Sequence, residues 1–368
     1  MKIAIIGASG FVGLRLLERL HLGGKAEVVP IVHAPRSLAV VARFDLPWKV
    51  CDPADEQQLE AALRGCDYVI HSALGDSKKI VAMARALYPA AERAGIKRIV
   101  ALSSAAVHTL VPAPGTDETS PVVVKQKSDY NRAKAEAELI LNSARRSGKT
   151  ELVQLRPSII YGARSRLVAD IAQQITAGSA YLVDEGAGIC NAIHVDNLID
   201  VIMTAFTQPG VDGETFLVTD AETVTWLDFY SAIAKAVQAD PASIHRIATP
   251  SFQSSPSDRL ARIAATDSVM AALPMVPARV KRIAKAAAAA WHDRLPANAW
   301  QLADLARPHP YEEICLLQSC RWRFPIGKAE RLLGYVPKVS FQEGMLRTAR
   351  WLEFVGLAPR PGAVASSR

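Results

Sequence analysis

The chain has 368 residues, half of them hydrophobic, and a formal net charge of +7 from 43 Lys and Arg against 36 Asp and Glu. This is enough apolar sequence to bury a large core in one big domain or two unequal ones. The mild basic excess does not choose among anionic small molecules, lipid surfaces and nucleic acid, and no apolar stretch reaches the roughly 18 residues that span a bilayer.

In chain order, Lys2–Ile6 reads as a compact aliphatic strand and Phe11–Leu22 as a helix with Val12, Leu16, Leu17 and Leu20 on one face. Strands follow at Glu27–Val32 and Trp48–Cys51, a helix at Asp55–Arg64, a fourth strand at Asp67–Ser72, and a long Ala-rich helix from Asp76 to Ala94. Arg98–Ser103 is a fifth strand, Ser128–Arg146 a helix and Glu151–Leu155 a sixth strand. Near-continuous aliphatic strands alternating with helices predict an α/β fold of the Rossmann type, with a doubly wound parallel sheet covered on both faces. The expected division is a dinucleotide-binding core over 1–160, a smaller α+β substrate-binding part over 161–358 with segments returning to the core, and a disordered tail over 359–368. In the second part Ala192–Val195 and Thr215–Val218 suggest strands. Thr225–Ala239 suggests a helix with Thr225 as N-cap, and 250–310 is the least regular stretch.

Five cysteines (Cys51, Cys66, Cys190, Cys315, Cys320) form no CxxC pair and no Cys/His cluster with metal-ligand spacing. They read as reduced thiols of a cytoplasmic protein, with no metal. No signal peptide is visible, because the run Ile3–Ile6 is too short and ends in a glycine loop. The segment 277–291 carries Val280, Ile283, Ala287 and Trp291 on one stripe, with Lys281, Arg282 and Lys285 outside it. That pattern suits a packed surface helix, a lid over a substrate cleft or a weak membrane-surface contact. No basic stripe alternates with aromatic residues, so no nucleic-acid partner is expected.

Gly7-Ala8-Ser9-Gly10-Phe11-Val12-Gly13 follows an apolar strand and opens an amphipathic helix. A pyrophosphate needs that arrangement, because backbone N–H groups and the helix dipole meet it at a helix N-terminus. A Cβ at the turn would obstruct the approach. The spacing is G-x-x-G-x-x-G rather than the usual G-x-G-x-x-G. The expected dinucleotide contacts are therefore Gly7, Ser9, Gly10, Phe11, Val12 and Gly13. After the second strand, no acid is present to hold a ribose 2′-hydroxyl. Arg36, with His33 and Ser37, suits a 2′-phosphate instead, which favours NADP over NAD. Asp52, past the third strand, is placed to meet the adenine.

Tyr130 and Lys134 stand at i and i+4 on one helical face. A free phenol has a pKa near ~10, and a nearby ammonium would favour its ionised form. Ser103 and Ser104 end the fifth strand, at the sheet edge where ligands bind in open α/β folds.

These motifs together resemble the extended short-chain dehydrogenases/reductases of the NAD-dependent epimerase/dehydratase family. The likeness includes the glycine loop, Asp52, Asp67–Ala73, Leu102–Val107, Asp117-Glu118, Tyr130/Lys134, Arg156–Gly162, His194–Asn197, Lys328–Tyr335 and Glu343-Gly344. It implies a seven-stranded parallel sheet and a smaller C-terminal substrate domain. It also implies Tyr130 as catalytic acid/base, Lys134 as its modulator and a ribose ligand, Ser104 as the substrate-orienting hydroxyl, and Ala73, Ser103 and Pro157 beside the dinucleotide. His194 and Asp196 are implied to be mainly structural, and a homodimer through the Tyr130 helix is suggested. His108 stands where nucleotide-sugar enzymes often have Tyr, and Pro157-Ser158 where sugar epimerases commonly have Asn. The Arg156-Pro157 pair and the Ala133–Glu138 run are similar to dihydroflavonol reductases and 3β-hydroxysteroid dehydrogenases, although some 4-ketohexose reductases share them. The expected activity is hydride transfer between a nicotinamide and a secondary alcohol or ketone. The alternatives are a nucleotide-sugar epimerase or dehydratase that retains NAD, and a non-catalytic dinucleotide sensor.

Overall fold

A computed structural model describes residues 1–24, 26–250 and 308–359. The first half contains β1 (Lys2–Ile6), α1 (Phe11–Leu22), β2 (Glu27–Val32), α2 (Leu38–Val41), β3 (Lys49–Val50), α3 (Glu56–Leu63), β4 (Tyr68–His71), α4 (Ser77–Arg93), β5 (Arg98–Leu102), α5 (Asp129–Ser147) and β6 (Glu151–Pro157). The second contains β7 (Ile159–Tyr161), α6 (Arg166–Thr176), β8 (Tyr181–Val183), β9 (Ala192–His194), α7 (Val195–Thr207), β10 (Thr215–Val218), α8 (Trp226–Ala236), β11 (His245–Ile247), α9 (Glu312–Gln318), α10 (Gly327–Leu333) and α11 (Phe341–Phe354).

Alternation along β1 shows how the sheet is covered. Ile3 and Ile5 pack with Leu14 and Leu17 of α1 and with Leu198, Ile202 and Phe206 of α7. Ala4 and Ile6 point the other way, to Leu59 of α3, Leu87 of α4 and Leu141 of α5. Successive strand side chains face opposite sides, so a strand aliphatic at every position needs helices on both. The seven strands run in the order β10-β6-β5-β4-β1-β2-β3, with every pairing parallel. The order reverses between β1 and β4, and in open α/β sheets such a switch point is where a ligand crevice is expected. A second cluster, around Tyr161, Val168, Trp226, Phe229, Tyr230 and Leu352, is built from α6, α8, α11 and two small parallel pairs, β7·β9 and β8·β11.

The first six strands and the expected helices between them lie where the sequence places them, with small shifts at their ends, and the four-residue α2 is an addition to the elements expected from the sequence. β3 shortens to Lys49–Val50. β6 continues through Arg156 and Pro157 because β10 pairs alongside it, Leu217 to Arg156 and Val218 to Pro157. Thr225 caps α8 in a reciprocal capping box with Asp228. Val195 belongs to α7 rather than to the preceding strand: the buried His194 side chain accepts a hydrogen bond from the Asp196 N–H and starts the helix there. α7 buries most of its residues, among them Asn197 held by Asp220. From the second half of the chain, β10, α7 and α10 return to the main sheet and its cover.

Among the described residues no helix is long and apolar enough to cross a membrane. In the same residues no cluster of His, Cys, Asp or Glu is suited to a metal ion, and all five cysteines are free and buried. The basic segment 277–291 and the expected tail beyond Pro359 lie outside the described residues.

Candidate active site

The glycine loop carries the strictest steric demands of the fold. Gly7 has a φ of +86°, and a Cβ on it would stand 2.8 Å from the backbone of Ala73. A Cβ on Gly13 would stand 2.2 Å from the Gly7 carbonyl oxygen. The loop is therefore folded tightly against the ends of β1 and β4, at the point where strand order reverses. Gly10 caps α1 without a side-chain hydrogen bond, and the first turn carries no acidic residue. The N–H groups of Phe11, Val12 and Gly13 open the helix without intrahelical acceptors, so the cradle suits an anion with no side chain in the way. Ser9 is half-buried beside it.

Because every strand is parallel, the residues after each one fall along one edge of the sheet. His33 follows β2, Asp52 follows β3, Ala73 follows β4, Ser103 and Ser104 follow β5, and Pro157 ends β6. Arg36 lies in a short 3-10 turn over Pro35–Ser37 and is exposed, as are His33 and Asp52. The Asp52 carboxylate takes the Ala54 N–H at 3.0 Å. The hydroxyl of Ser103 turns inward and donates to Glu138 at 2.5 Å, so only the backbone of Ser103 faces the crevice edge.

Ser104 and Tyr130 line the same cavity. Ser104 begins a short 3-10 turn, accepting the Ala106 N–H at 3.2 Å. Ser128 caps α5, which carries Tyr130 in its first turn. Tyr130 forms part of an open wall and is 41% exposed. Desolvation against that wall pushes its phenol above the usual range, and hydrogen bonding with the Ser104 hydroxyl pulls it back. Lys134 lies one turn further into the protein, 6% exposed, with Nζ donating to the Leu102 carbonyl at 2.8 Å. Burial pushes its ammonium down to about 8, opposed by the negative charge of Glu138. The structure thus brings Ser104 and Tyr130 together and sets the Lys134 ammonium on the end of β5.

Behind this trio is a buried polar group. Glu138, fully enclosed, takes Arg156 Nε at 3.1 Å and a second hydrogen bond from the same guanidinium. Arg156 also donates to His108 Nε2 at 2.8 Å. Arginine can only donate, so that nitrogen must accept, and the imidazole proton sits on Nδ1, which faces the Pro121 carbonyl at 3.3 Å. Burial and the neighbouring guanidinium hold His108 below its ordinary pKa. Glu138 was legible as the third residue of an i, i+4, i+8 row with Tyr130 and Lys134, although its role was not.

The cavity over Ser104 and Tyr130 has a volume of about 260 Å³. Leu110, Ile159, Ile189, Ile314, Leu317 and Phe324 supply much of its wall, with Asn131, Ser158 and Asn191 as polar points. Several of these residues come from 311–324, and no local motif marks them. By contrast, His194 and Asp196 are tied into the frame. Asp196 binds Arg15 at 2.6 Å and Arg347 at 3.0 Å, and burial pushes His194 down to about 4.

The model of the NAD dependent epimerase/dehydratase family matches residues 3–219, and the chain belongs to this family. Within it the chain is an enzyme of the extended short-chain dehydrogenase/reductase type, built for an NAD-type dinucleotide. It is similar to a decarboxylating sterol-4-alpha-carboxylate 3-dehydrogenase of Candida albicans, 25% identical over 381 residues, covering 95% of this chain and 97% of the relative. It is also similar to a UDP-glucose 4-epimerase of Vibrio cholerae, 26% identical over 260 residues, covering 64% of this chain and 76% of the relative. The fold matches that of DesIV, a dTDP-glucose 4,6-dehydratase of Streptomyces venezuelae solved with NAD and TYD bound. That match has a TM-score of 0.68 at 21% identity and covers 98% of this chain and 99% of the other. Relatives named as oxidoreductases and as epimerases therefore both fit this chain.

Proposed function

We propose that the chain is a reductase or dehydrogenase acting on a compact, carbon-rich ketone or secondary alcohol. The cavity wall carries this reading. Among the described residues it includes no Lys, Arg or His, and its only carboxylate is Glu313. A nucleotide sugar brings a diphosphate, and burying anionic charge without a cation costs several kcal/mol (roughly, for a real protein site). A substrate carboxylate would meet Glu313 with the same sign of charge. An uncharged hydrocarbon body with one oxygen suits the wall; the name of the sterol-4-alpha-carboxylate 3-dehydrogenase relative agrees with it in the hydrocarbon body and the dehydrogenase reaction, and differs in the carboxylate.

Ser104 would orient the substrate oxygen, and Tyr130 would give or take its proton. Lys134 would supply the positive charge that favours the phenolate. The glycine loop fits a dinucleotide because a Cβ at Gly7 or Gly13 would collide with backbone. Gly7, Ser9, Gly10, Phe11, Val12 and Gly13 would hold the pyrophosphate, Asp52 the adenine end, and Ala73, Ser103 and Pro157 the wall beside it. Bound there, the nicotinamide supplies or accepts the hydride. A screen of apolar ketones with NADH and NADPH, run beside UDP- and dTDP-sugars, tests the reading. Reduction of a ketone is expected. Interconversion of a nucleotide sugar with NAD retained through purification would replace this reading with the epimerase one.

NADP is the proposed preference. Arg36 is exposed at the end of β2 and, among the described residues, pairs with no acidic group. Arg36→Ala is expected to weaken NADPH binding by about 10- to 100-fold, the value of a charge-assisted hydrogen bond, and to leave NADH binding unchanged. Fluorescence titration of both cofactors checks it, and equal losses for the two would remove Arg36 from the 2′-phosphate site. Unpaired thiols suit a cytoplasmic location. A homodimer would use the outer face of α5, where Leu139 is 46% exposed.

A further inference from the structure

Lys134 backs onto a second, much smaller cavity of about 20 Å³, lined by residues of β4, β5, β6, α4 and α5 and by Ala73 after β4. Two acceptors belong to its lining residues. Among the described residues, His71, 9% exposed on β4, has an Nε2 with no hydrogen-bond partner, and Gln154, 1% exposed on β6, has an unpartnered Oε1. The Gln154 orientation follows from its amide nitrogen, which donates to Asn142 at 2.7 Å. His71 stays neutral because burial and the nearby Lys134 charge push it down to about 3, and the neutral tautomer with its lone pair on Nε2 is the one an ammonium on the same cavity favours. Nε2 is then a lone pair. An unpaired buried acceptor costs about 1–3 kcal/mol, and here two of them share one cavity with an ammonium.

The cavity also has the right size. A single water needs roughly 10–15 Å³ and two to four polar partners. Lys134 carries three N–H donors and uses one on Leu102. One water accepting from Lys134 and donating to His71 Nε2 and Gln154 Oε1 would satisfy every group with correct donor–acceptor polarity.

We propose that this cavity holds one ordered water that links Lys134 to His71 and Gln154, making His71 and Gln154 positioning residues that keep the Lys134 ammonium charged and fixed in direction. The charged and titratable groups around that ammonium are few. Tyr130 and Glu138 share its helix, Glu138 is neutralised by Arg156 of β6, His108 lies beyond that arginine, and His71 faces it from β4. Of the lining residues, Ile80, Ala84 and Leu87 of α4 bring only carbon. The water is thus a source of hydrogen bonding that offsets the desolvation of the ammonium beside the charge of Glu138.

The catalytic consequence rests on the hydride-transfer reading above, whereas the water and the Lys134 titration do not. The experiment is a high-resolution crystal structure of the chain without dinucleotide, together with a ¹³Cε NMR titration of Lys134 assigned with Lys134→Met. In wild-type crystals a solvent peak within hydrogen-bonding distance of Lys134 Nζ, His71 Nε2 and Gln154 Oε1 is expected. In His71→Leu the ammonium loses a relayed hydrogen bond, and its titration is expected to fall by about one to two pH units. His71→Gln, which places an amide oxygen near the lost nitrogen, is expected to restore it. The protonated form is the useful one, so the alkaline limb of the pH–rate profile moves down with the titration in His71→Leu and returns in His71→Gln. An empty cavity in wild-type density, a direct Lys134–His71 hydrogen bond, or an unmoved titration in His71→Leu overturns the proposal. Should His71→Leu fail to fold, Gln154→Met removes the other acceptor and the wild-type density still decides. If Tyr130→Phe keeps full turnover while the water is present, the functional reading fails and this inference stands.

Discussion

Tyr130→Phe is expected to keep the fold and the dinucleotide affinity and to lower kcat by about 10²- to 10⁴-fold, the range for a positioned acid/base. The phenyl ring keeps its place in the cavity wall, where Tyr130 is 41% exposed, so little packing is lost. What disappears is the hydroxyl beside Ser104 on the cavity wall and with it the proposed route for the substrate proton. The glycine loop lies at the ends of β1 and β4 and makes no use of the phenol, so NADPH and NADH titrations should be unchanged. Steady-state kinetics on a ketone found in the screen, with melting curves as control, reads the result. A variant with wild-type kcat removes Tyr130 from the mechanism. One that has lost cofactor binding as well would place the tyrosine in the dinucleotide site instead.

The second large effect is on stability. Arg156→Met leaves the Glu138 carboxylate fully buried with, among the described residues, only Ser103 as a donor. Breaking a buried ion pair from one side costs about 3–5 kcal/mol, because the remaining charge keeps its desolvation penalty. The denaturant midpoint is expected to fall accordingly. Arg156→Met combined with Glu138→Leu removes both charges, and most of the loss should return, since an apolar replacement of the whole pair is often neutral. His108 would also lose its donor on Nε2, so recovery should be incomplete. If the double variant is as unstable as the single one, the stabilising element is the wider hydrogen-bond network rather than the charge pair.

Much of the site was legible because it is written in short-range patterns. The loop from Gly7 to Gly13 is a backbone demand: positive φ and contact distances too short for a Cβ require glycine wherever the rest of the chain lies. Tyr130 and Lys134 share a face by helical spacing, and the strand-end residues share an edge once the strands are known to be parallel. Thr225 and Asp228 form their capping box within four residues. The direction of the Lys134 ammonium was not legible. Spacing puts it on the Tyr130 face, whereas the structure places its Nζ on Leu102, a partner set by how α5 lies across β5.

The sequence alone determined the glycine loop, the order of strand and helix in the first half, and the residue types able to move a proton. These depend on interactions within a few residues or on the periodicity of one element. Only the tertiary structure decided the substrate wall, where Leu110 and Ile159 meet Ile314, Leu317 and Phe324 from far along the chain. It alone decided that Glu138 is neutralised by Arg156, and that His71, an unremarked residue inside a strand, faces Lys134 across a cavity with room for one water. Such contacts join residues with no common period, and they arise when helices and sheet pack to exclude water, which fixes which side chains share a cavity and which are left to satisfy one another.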